Sequence, residues 1–388
     1  MHQRIDELRR LLREANRAYY ADAAPIMSDP EFDRLLKELE ALEEAHPEED
    51  DPNSPTKRVG GDPIEGFVSR PHAVPMLSID NTYDEQGVRD WMTRTKATSV
   101  YAEPKIDGVA LSVRYERGVF VHALTRGDGR SGDDVSHAAR TIRSLPLHLD
   151  GAPEVLEVRG EVFIPDSVFL ALNDQREDEG LERFMNPRNA CAGTIKNLDP
   201  NVAASRRLGF VAHGRGEVSA RFASRHSELL GAFASMGIPV SEHGALCEDV
   251  DEVLARIEAF RETRTTLDVA TDGMVIRVDE FDAQDALGVT SKSPRWIVAF
   301  KYPAERVTTT IVAVEHQVGK TGKITPRATM EPVVVAGTTV RHATLHNYGR
   351  MRDLATETDA RAALHIGDVV TIEKAGEIIP QVVQIMLG

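Results

Sequence analysis

A chain of 388 residues and 42.7 kDa exceeds what one ordinary hydrophobic core fills, so two or three domains are expected. With 41% hydrophobic and 28% charged residues and no apolar run long enough to cross a bilayer, the composition is that of a soluble globular protein and argues against a membrane role. The net charge of −16 excludes a uniformly basic nucleic-acid-binding surface, because phosphate contacts draw on Lys and Arg.

Charge is unevenly spread. Residues 1–60 hold 15 acidic and 9 basic side chains, whereas 301–388 hold 9 acidic and 10 basic. A nucleic-acid surface would therefore be a local basic face, best sought in the C-terminal segment. The N-terminal MHQRIDELRRLL is charged and helix-like, with no signal-peptide core. Two isolated cysteines, Cys191 and Cys247, build neither a disulfide framework nor a four-ligand zinc site, so no zinc is expected and a reducing cytoplasm fits.

In chain order, Ile5, Leu8, Leu11 and Leu12 fall at helical spacing, as do Leu35, Leu36, Leu39 and Leu42. Ser28 with Glu31 three residues on predicts a capping box for the second helix. The charged, Pro-containing break from His46 to Pro55 then closes a helical module near residue 58. From 59 to 303, short alternating strands mix with helices in an α+β pattern. After Pro303, short strands punctuated by glycines suit a small OB-fold barrel over 304–388.

Five stretches carry chemistry. In YAEPKIDGVALSVRY, period-two alternation predicts a strand on which Lys105 and Asp107 share a face with Val109, Leu111 and Val113. Taken alone, both charges read as a solvated strand end. A lysine nucleophile needs neighbouring cations or desolvation to lower its pKa. LEVRGEVFI sets Leu156, Val158, Val162 and Ile164 toward a core, with Glu157, Arg159 and Glu161 on the other face. TDGMVIRV places Val275 and Arg277 together, one apolar side chain to cover a base and one cation to touch a phosphate. Lys301 ends the apolar run of PRWIVAFKYP, and Gly-rich TRGDGRSGDD reads as a hairpin turn that matches no phosphate loop. His137, His148, His342 and His346 lack metal-ligand spacing.

KIDG, EVRGEVF, DGMVIR and IVAFKYP, in this order, resemble the motifs of covalent nucleotidyltransferases. With AYYADAAPIMSDPEFDRLLKELEALE, NSPTKRVGG, PMLSIDN, NPRNACAGTIKNLDP, VGKTGKITP and HATLHN, the chain resembles bacterial NAD-dependent DNA ligases along essentially its whole length. The resemblance implies an α+β multidomain protein: a helical NMN-binding module (1–58), an ATP-grasp-like ligase core of antiparallel sheets and helices (59–303), and an OB-fold (304–388). It implies a cytoplasmic bacterial monomer that uses NAD and Mg2+ and acts on nicked double-stranded DNA.

By the same resemblance Lys105 is the nucleophile, with Asp107, Arg277 and Lys301 as its catalytic companions. Asp107 and Glu161 would hold magnesium through water. Glu103 would recognise adenine between Val275 and His213, Arg126 and Glu161 would lie near the ribose, and Ser78 and Ile79 would line the NAD site. Tyr19, Tyr20, Asp29, Phe32 and Asp33 align with residues that grip NMN, and Arg188, Lys196, Lys320 and Lys323 with residues that meet DNA. Phe32 stands where tyrosine is frequent, Arg277 where lysine is usual, and Lys196 and Lys320 where arginine is usual; a guanidinium fork and a compact ammonium contact phosphate differently. Arg277 is expected against the phosphates. The zinc-finger, helix-hairpin-helix and BRCT domains that usually follow are absent from these residues. The sequence thus reads as a shortened form, with adenylation intact and nick sealing weak and steeply salt-dependent. Two alternatives are an ATP- or GTP-dependent enzyme on the same core and a non-catalytic nucleotide- or nucleic-acid-binding relative.

Overall fold

Helical spacing of leucines opens the chain with two packed helices, His2–Tyr20 and Asp29–Ala45. Ile5, Leu8, Leu12, Leu35 and Leu39 form their shared core, and the buried Arg9 Nη2 meets Glu43 Oε1 at 2.6 Å to tie the helices together. Ser28 sits at the second N-cap, but its side chain makes no capping bond, contrary to the predicted box. Pro30 starts the helix instead, and the N–H groups of Glu31 and Phe32 bond the Ser28 carbonyl. The computed structural model describes residues 2–20, 26–49, 51, 53–58, 66–181, 183–184, 186–302, 305–318, 324–335, 338–345, 347–349, 351, 364–374 and 380–386.

The chain divides into two units, Met1–Lys301 and Tyr302–Gly388. In the first, Asn53 is buried and donates through Nδ2 to the Phe120 carbonyl at 3.1 Å, which anchors the end of the helical module to the body that follows. That body holds two principal sheets. One has five strands in the order Asp80–Thr82, Ile297–Lys301, Thr271–Val278, Val100–Ile106, Ala245–Cys247. The other has four, in the order Val119–Thr125, Val109–Glu116, Val155–Phe163, Gly209–Val218.

The expectation of one continuous strand through Lys105 and Val113 is corrected here. The chain leaves the five-stranded sheet after Ile106 and enters the four-stranded one at Val109. Asp107 and Gly108 make the crossing. A Cβ on Gly108 would lie 2.1 Å from the Val162 carbonyl oxygen, so only glycine lets the chain pass that close to the neighbouring strand. Leu156, Val158, Val162 and Ile164 do enter the core, with Leu111, Val113 and Tyr115.

The second unit is a closed barrel of Glu305–Val318, Ile324–Val335, Thr338–Thr344, Gln381–Met386 and Val369–Lys374, in that spatial order. Ile311, Ala328, Met330, Val340, Val370 and Ile372 fill it, as alternation in a small barrel requires. Among the described residues no helix is long and apolar enough to cross a membrane.

Candidate active site

Three adjacent strands of the five-stranded sheet bring two lysines to one carboxylate. Gly273 is paired with Lys105 on one side and Lys301 on the other, and the ladder to the Lys105 strand slips by one residue between Thr271 and Gly273. Such a bulge frees Asp272 from ordinary alternation. Its carboxylate meets Lys105 Nζ at 3.0 Å and Lys301 Nζ at 3.1 Å. Gly273 is required between them, because a Cβ there would sit 2.0 Å from the Phe300 carbonyl oxygen. Lys105 is thus a part-buried, ion-paired group rather than a solvated strand end.

Asp107 is buried at the crossing between sheets. Its N–H donates to the Ala270 carbonyl at 2.9 Å, and its Oδ1 accepts from Arg188 Nη1 at 2.6 Å. Arg188 stands in the first turn of the helix Pro187–Ile195, where Asn186 caps the N–H of Asn189. Glu161 projects from Val155–Phe163, paired across the sheet with Ala110. Burial pushes its carboxyl up to about 7, against the opposing charges of Lys105 and Arg188, while the charge of Asp107 pushes further upward. The two carboxylates therefore share one electrostatic environment. That donor chemistry fits a hydrated magnesium ion, although among the described residues no cluster of three potential metal ligands forms.

Deeper along the same sheet face, Glu103 is paired with Val275, and Tyr101 with Arg277. Arg277 Nη2 donates to Glu103 Oε1 at 2.8 Å, and His226 Nε2 lies 3.7 Å from that oxygen. The guanidinium expected against phosphates is thus engaged by the carboxylate expected to read the base. Burial alone would raise the Glu103 carboxyl, but Arg277 and His226 together hold it below its ordinary range. His213 comes from the four-stranded sheet, with Nε2 3.9 Å from Glu161 Oε2. Its neighbour Gly214 faces Arg277, since a Cβ there would lie 3.4 Å from Nη1. Burial, and then the charge of Arg277, lower His213 to about 4, so the ring is neutral at neutral pH.

The remaining expected residues are more dispersed. Ser78 is exposed and Ile79 half-buried, just before the edge strand Asp80–Thr82, and the Ser78 N–H bonds the Lys292 carbonyl at 3.1 Å. Arg159 steadies the preceding loop by donating to the carbonyls of Val74 and Pro75. Arg126 is exposed in the predicted turn, its carbonyl accepting from Gly129 N–H at 3.0 Å. Lys196 Nζ reaches Asp133 Oδ2 at 2.7 Å.

Tyr19, Tyr20, Asp29 and Asp33 belong to the two N-terminal helices, but their side chains lie outside the described residues, as do Lys320 and Lys323 altogether. Phe32 packs against the helical core. Sequence reasoning missed Asp272 and His226. Asp272 opens the DGMVIR motif, so its signal was present; His226 carries none, because only folding brings it to Glu103.

The description "NAD-dependent DNA ligase adenylation domain" matches residues 64–305, "NAD-dependent DNA ligase OB-fold domain" matches 308–388, and "DNA ligase-like, N-terminal NAD+-binding domain" matches 1–60. The chain is 45% identical over 401 aligned positions to a protein named DNA ligase from Akkermansia muciniphila, covering 100% of this chain and 50% of that one. It is 47% identical over 388 positions to a DNA ligase of Porphyromonas gingivalis strain W83, covering 98% and 57%. A DNA ligase of Desulforudis audaxviator is 45% identical over 387 positions, covering 98% and 56%. The chain thus spans little more than half the length of these relatives.

Proposed function

This chain belongs to the NAD-dependent DNA ligase family, and from that premise we propose that it adenylates itself on Lys105 with NAD, releases NMN, and passes AMP to the 5′-phosphate of a DNA nick, where the 3′-hydroxyl displaces it to seal the strand. The observation that carries this reading is the meeting of Lys105 and Lys301 at Asp272 across the Gly273 gap. In the first step Lys105 Nζ gives up a proton, for which Asp272 is the adjacent acceptor, and forms a bond to the adenylyl phosphorus. The bond from that phosphorus to the bridging oxygen breaks, and NMN leaves with the electron pair.

Phosphoryl-group transfer asks for in-line positioning and cations that spread developing charge, which suits Lys301. Glu103 reads adenine, Val275 and His213 cover its two faces, and Arg126 and Glu161 lie by the ribose. Ser78 and Ile79 line the NAD site, while Tyr19, Tyr20, Asp29, Phe32 and Asp33 hold the NMN half. Asp107 and Glu161 would hold magnesium through water, and the ion would neutralise charge on the phosphates. Arg188, Lys196, Lys320 and Lys323 face DNA, across modules bounded near residues 58 and 303. We place the protein in the cytoplasm as a monomer.

Intact mass after separate incubation with NAD, ATP and GTP tests the proposal. An adenylyl adduct from NAD and magnesium that maps to Lys105 and vanishes in Lys105→Ala is the expected result. An adduct from ATP but not from NAD would replace the dinucleotide with a nucleoside triphosphate as donor.

A further inference from the structure

We infer that Arg159 is a positioning residue for NAD: its guanidinium pins a strap, residues 72–79, across the face of the four-stranded sheet that carries Glu161, and so holds Ser78 and Ile79 at the cleft. This rests on the reading that Ser78 and Ile79 line the NAD site. The strap begins where Ser69–Pro71 pairs with Ser131–Asp133, just before Asp134 bridges to Leu124 of the four-stranded sheet. It ends where Asp80–Thr82 joins the edge of the five-stranded sheet. It therefore links the two sheets covalently, as Asp107 and Gly108 do.

Backbone bonds hold the strap at intervals, and one side chain holds its middle. The His72 N–H donates to the Arg130 carbonyl at 2.8 Å, the Met76 N–H to the Gly129 carbonyl at 2.8 Å and the Ser78 N–H to the Lys292 carbonyl at 3.1 Å. Between the first two, Arg159 Nη1 donates to the Pro75 carbonyl at 3.1 Å and Nη2 to the Val74 carbonyl. Arg159 alternates with Glu161 on Val155–Phe163, so the two side chains leave the same face of the sheet. Pro75 has no N–H for a ladder and favours extended backbone at Val74, which leaves two successive carbonyls for a side chain to meet. Gly216 on the adjacent strand makes room, since a Cβ there would lie 3.3 Å from Arg159 Nε and 2.3 Å from Glu157 Oε2.

The guanidinium is committed to backbone rather than to a carboxylate. Burial pushes it below its ordinary range, with the charge of Glu157 opposing, and its Nε is buried without a hydrogen-bond partner. Among the described residues the Val74 and Pro75 carbonyls are thus its only acceptors, and giving up either would leave a further donor of a half-buried cation unmet. A planar fork meets two successive carbonyls at once, where an ammonium on a flexible stem makes a point contact. The strap is also stitched to the turn that carries Arg126, whose carbonyl lies 3.2 Å from His72 Nε2. One anchor therefore sets both Ser78 and the turn of Arg126.

Initial rates of adduct formation over a range of NAD concentrations, for wild type, Arg159→Gln and Arg159→Lys, test the inference. Hydrogen exchange gives a readout that needs no adduct. Arg159→Gln should raise the KM for NAD by about tenfold while the maximal rate stays within about threefold of wild type. Exchange at the Met76 and Ser78 amides should quicken by about tenfold, with that of Val155–Phe163 unchanged. Arg159→Lys, which reaches one carbonyl at a time, should raise the KM by about threefold, and it decides alone if Arg159→Gln fails to fold by circular dichroism. Loss of maximal rate at unchanged KM, or faster exchange throughout the four-stranded sheet, would make Arg159 a residue of general stability and overturn the inference. So would an Arg159→Lys variant indistinguishable from wild type. Absence of any adduct from NAD in wild type would defeat the proposed function instead; the calorimetric affinity for AMP, weakened about tenfold by Arg159→Gln or left unchanged, would then decide this one.

Discussion

Lys105 and Lys301, carried on strands that flank Thr271–Val278 from opposite sides, meet at the two oxygens of Asp272. Asp272→Asn keeps the shape and removes the charge, leaving two ammonium groups facing each other without a counterion. The rate of adduct formation from NAD should fall by about a hundredfold or more. Quench-flow or timed mass measurement checks this, and a rate within a few-fold of wild type would show that the aspartate only holds the lysines at rest.

Glu161 should make stability depend on pH. An acid whose folded pKa of about 7 exceeds its ordinary 4.5 favours folding least when ionised. The cost is absent below about 4.5, grows as pH rises toward 7, and is constant beyond. Glu161→Gln should therefore match wild type near pH 4 and exceed its stability near pH 8 by on the order of 2 kcal/mol. Urea unfolding at the two pH values measures the difference.

His213 gives the opposite dependence. Its folded pKa, about 4 against an ordinary 6.5, means that the unfolded chain takes up a proton first, so stability is lost as pH falls from about 6.5 toward 4. His213→Tyr removes that acid-side loss and offers a larger ring to the base. It should lower the KM for NAD by about threefold to tenfold and flatten the melting temperature between pH 4 and 6. An unchanged KM would place the base away from position 213.

Replacing Tyr20 and Asp33 by alanine should separate the steps. Reaction with NAD should fall by about tenfold or more, while sealing of a nick supplied already adenylated should continue at the wild-type rate. Gel assays on the two substrates distinguish them. Equal losses would assign the N-terminal helices to DNA or to folding rather than to NMN.

Much of this was readable along the chain, and the failures have physical causes. Alternation correctly set Leu156, Val158, Val162 and Ile164 in the core, and leucine spacing marked both N-terminal helices. It failed at Asp107, where period two cannot register a chain that changes sheets through a glycine. The capping-box motif failed at Ser28, where proline at the helix start takes the place of the side-chain cap. Asp272 was in view within DGMVIR, but its partnership depends on a one-residue bulge, a property of two strands together. The surroundings of Glu103 draw on residues 226 and 277, which only the packing of a helix start on the sheet unites.

The anchoring of Lys105, Asp272 and Lys301 to three neighbouring strands also governs how the molecule will fail. Their spacing is set by the hydrogen-bond ladder, not by a loop free to open by itself. Denaturant should therefore extinguish adduct formation in the same cooperative transition that melts the five-stranded sheet, with no inactive but folded species preceding it.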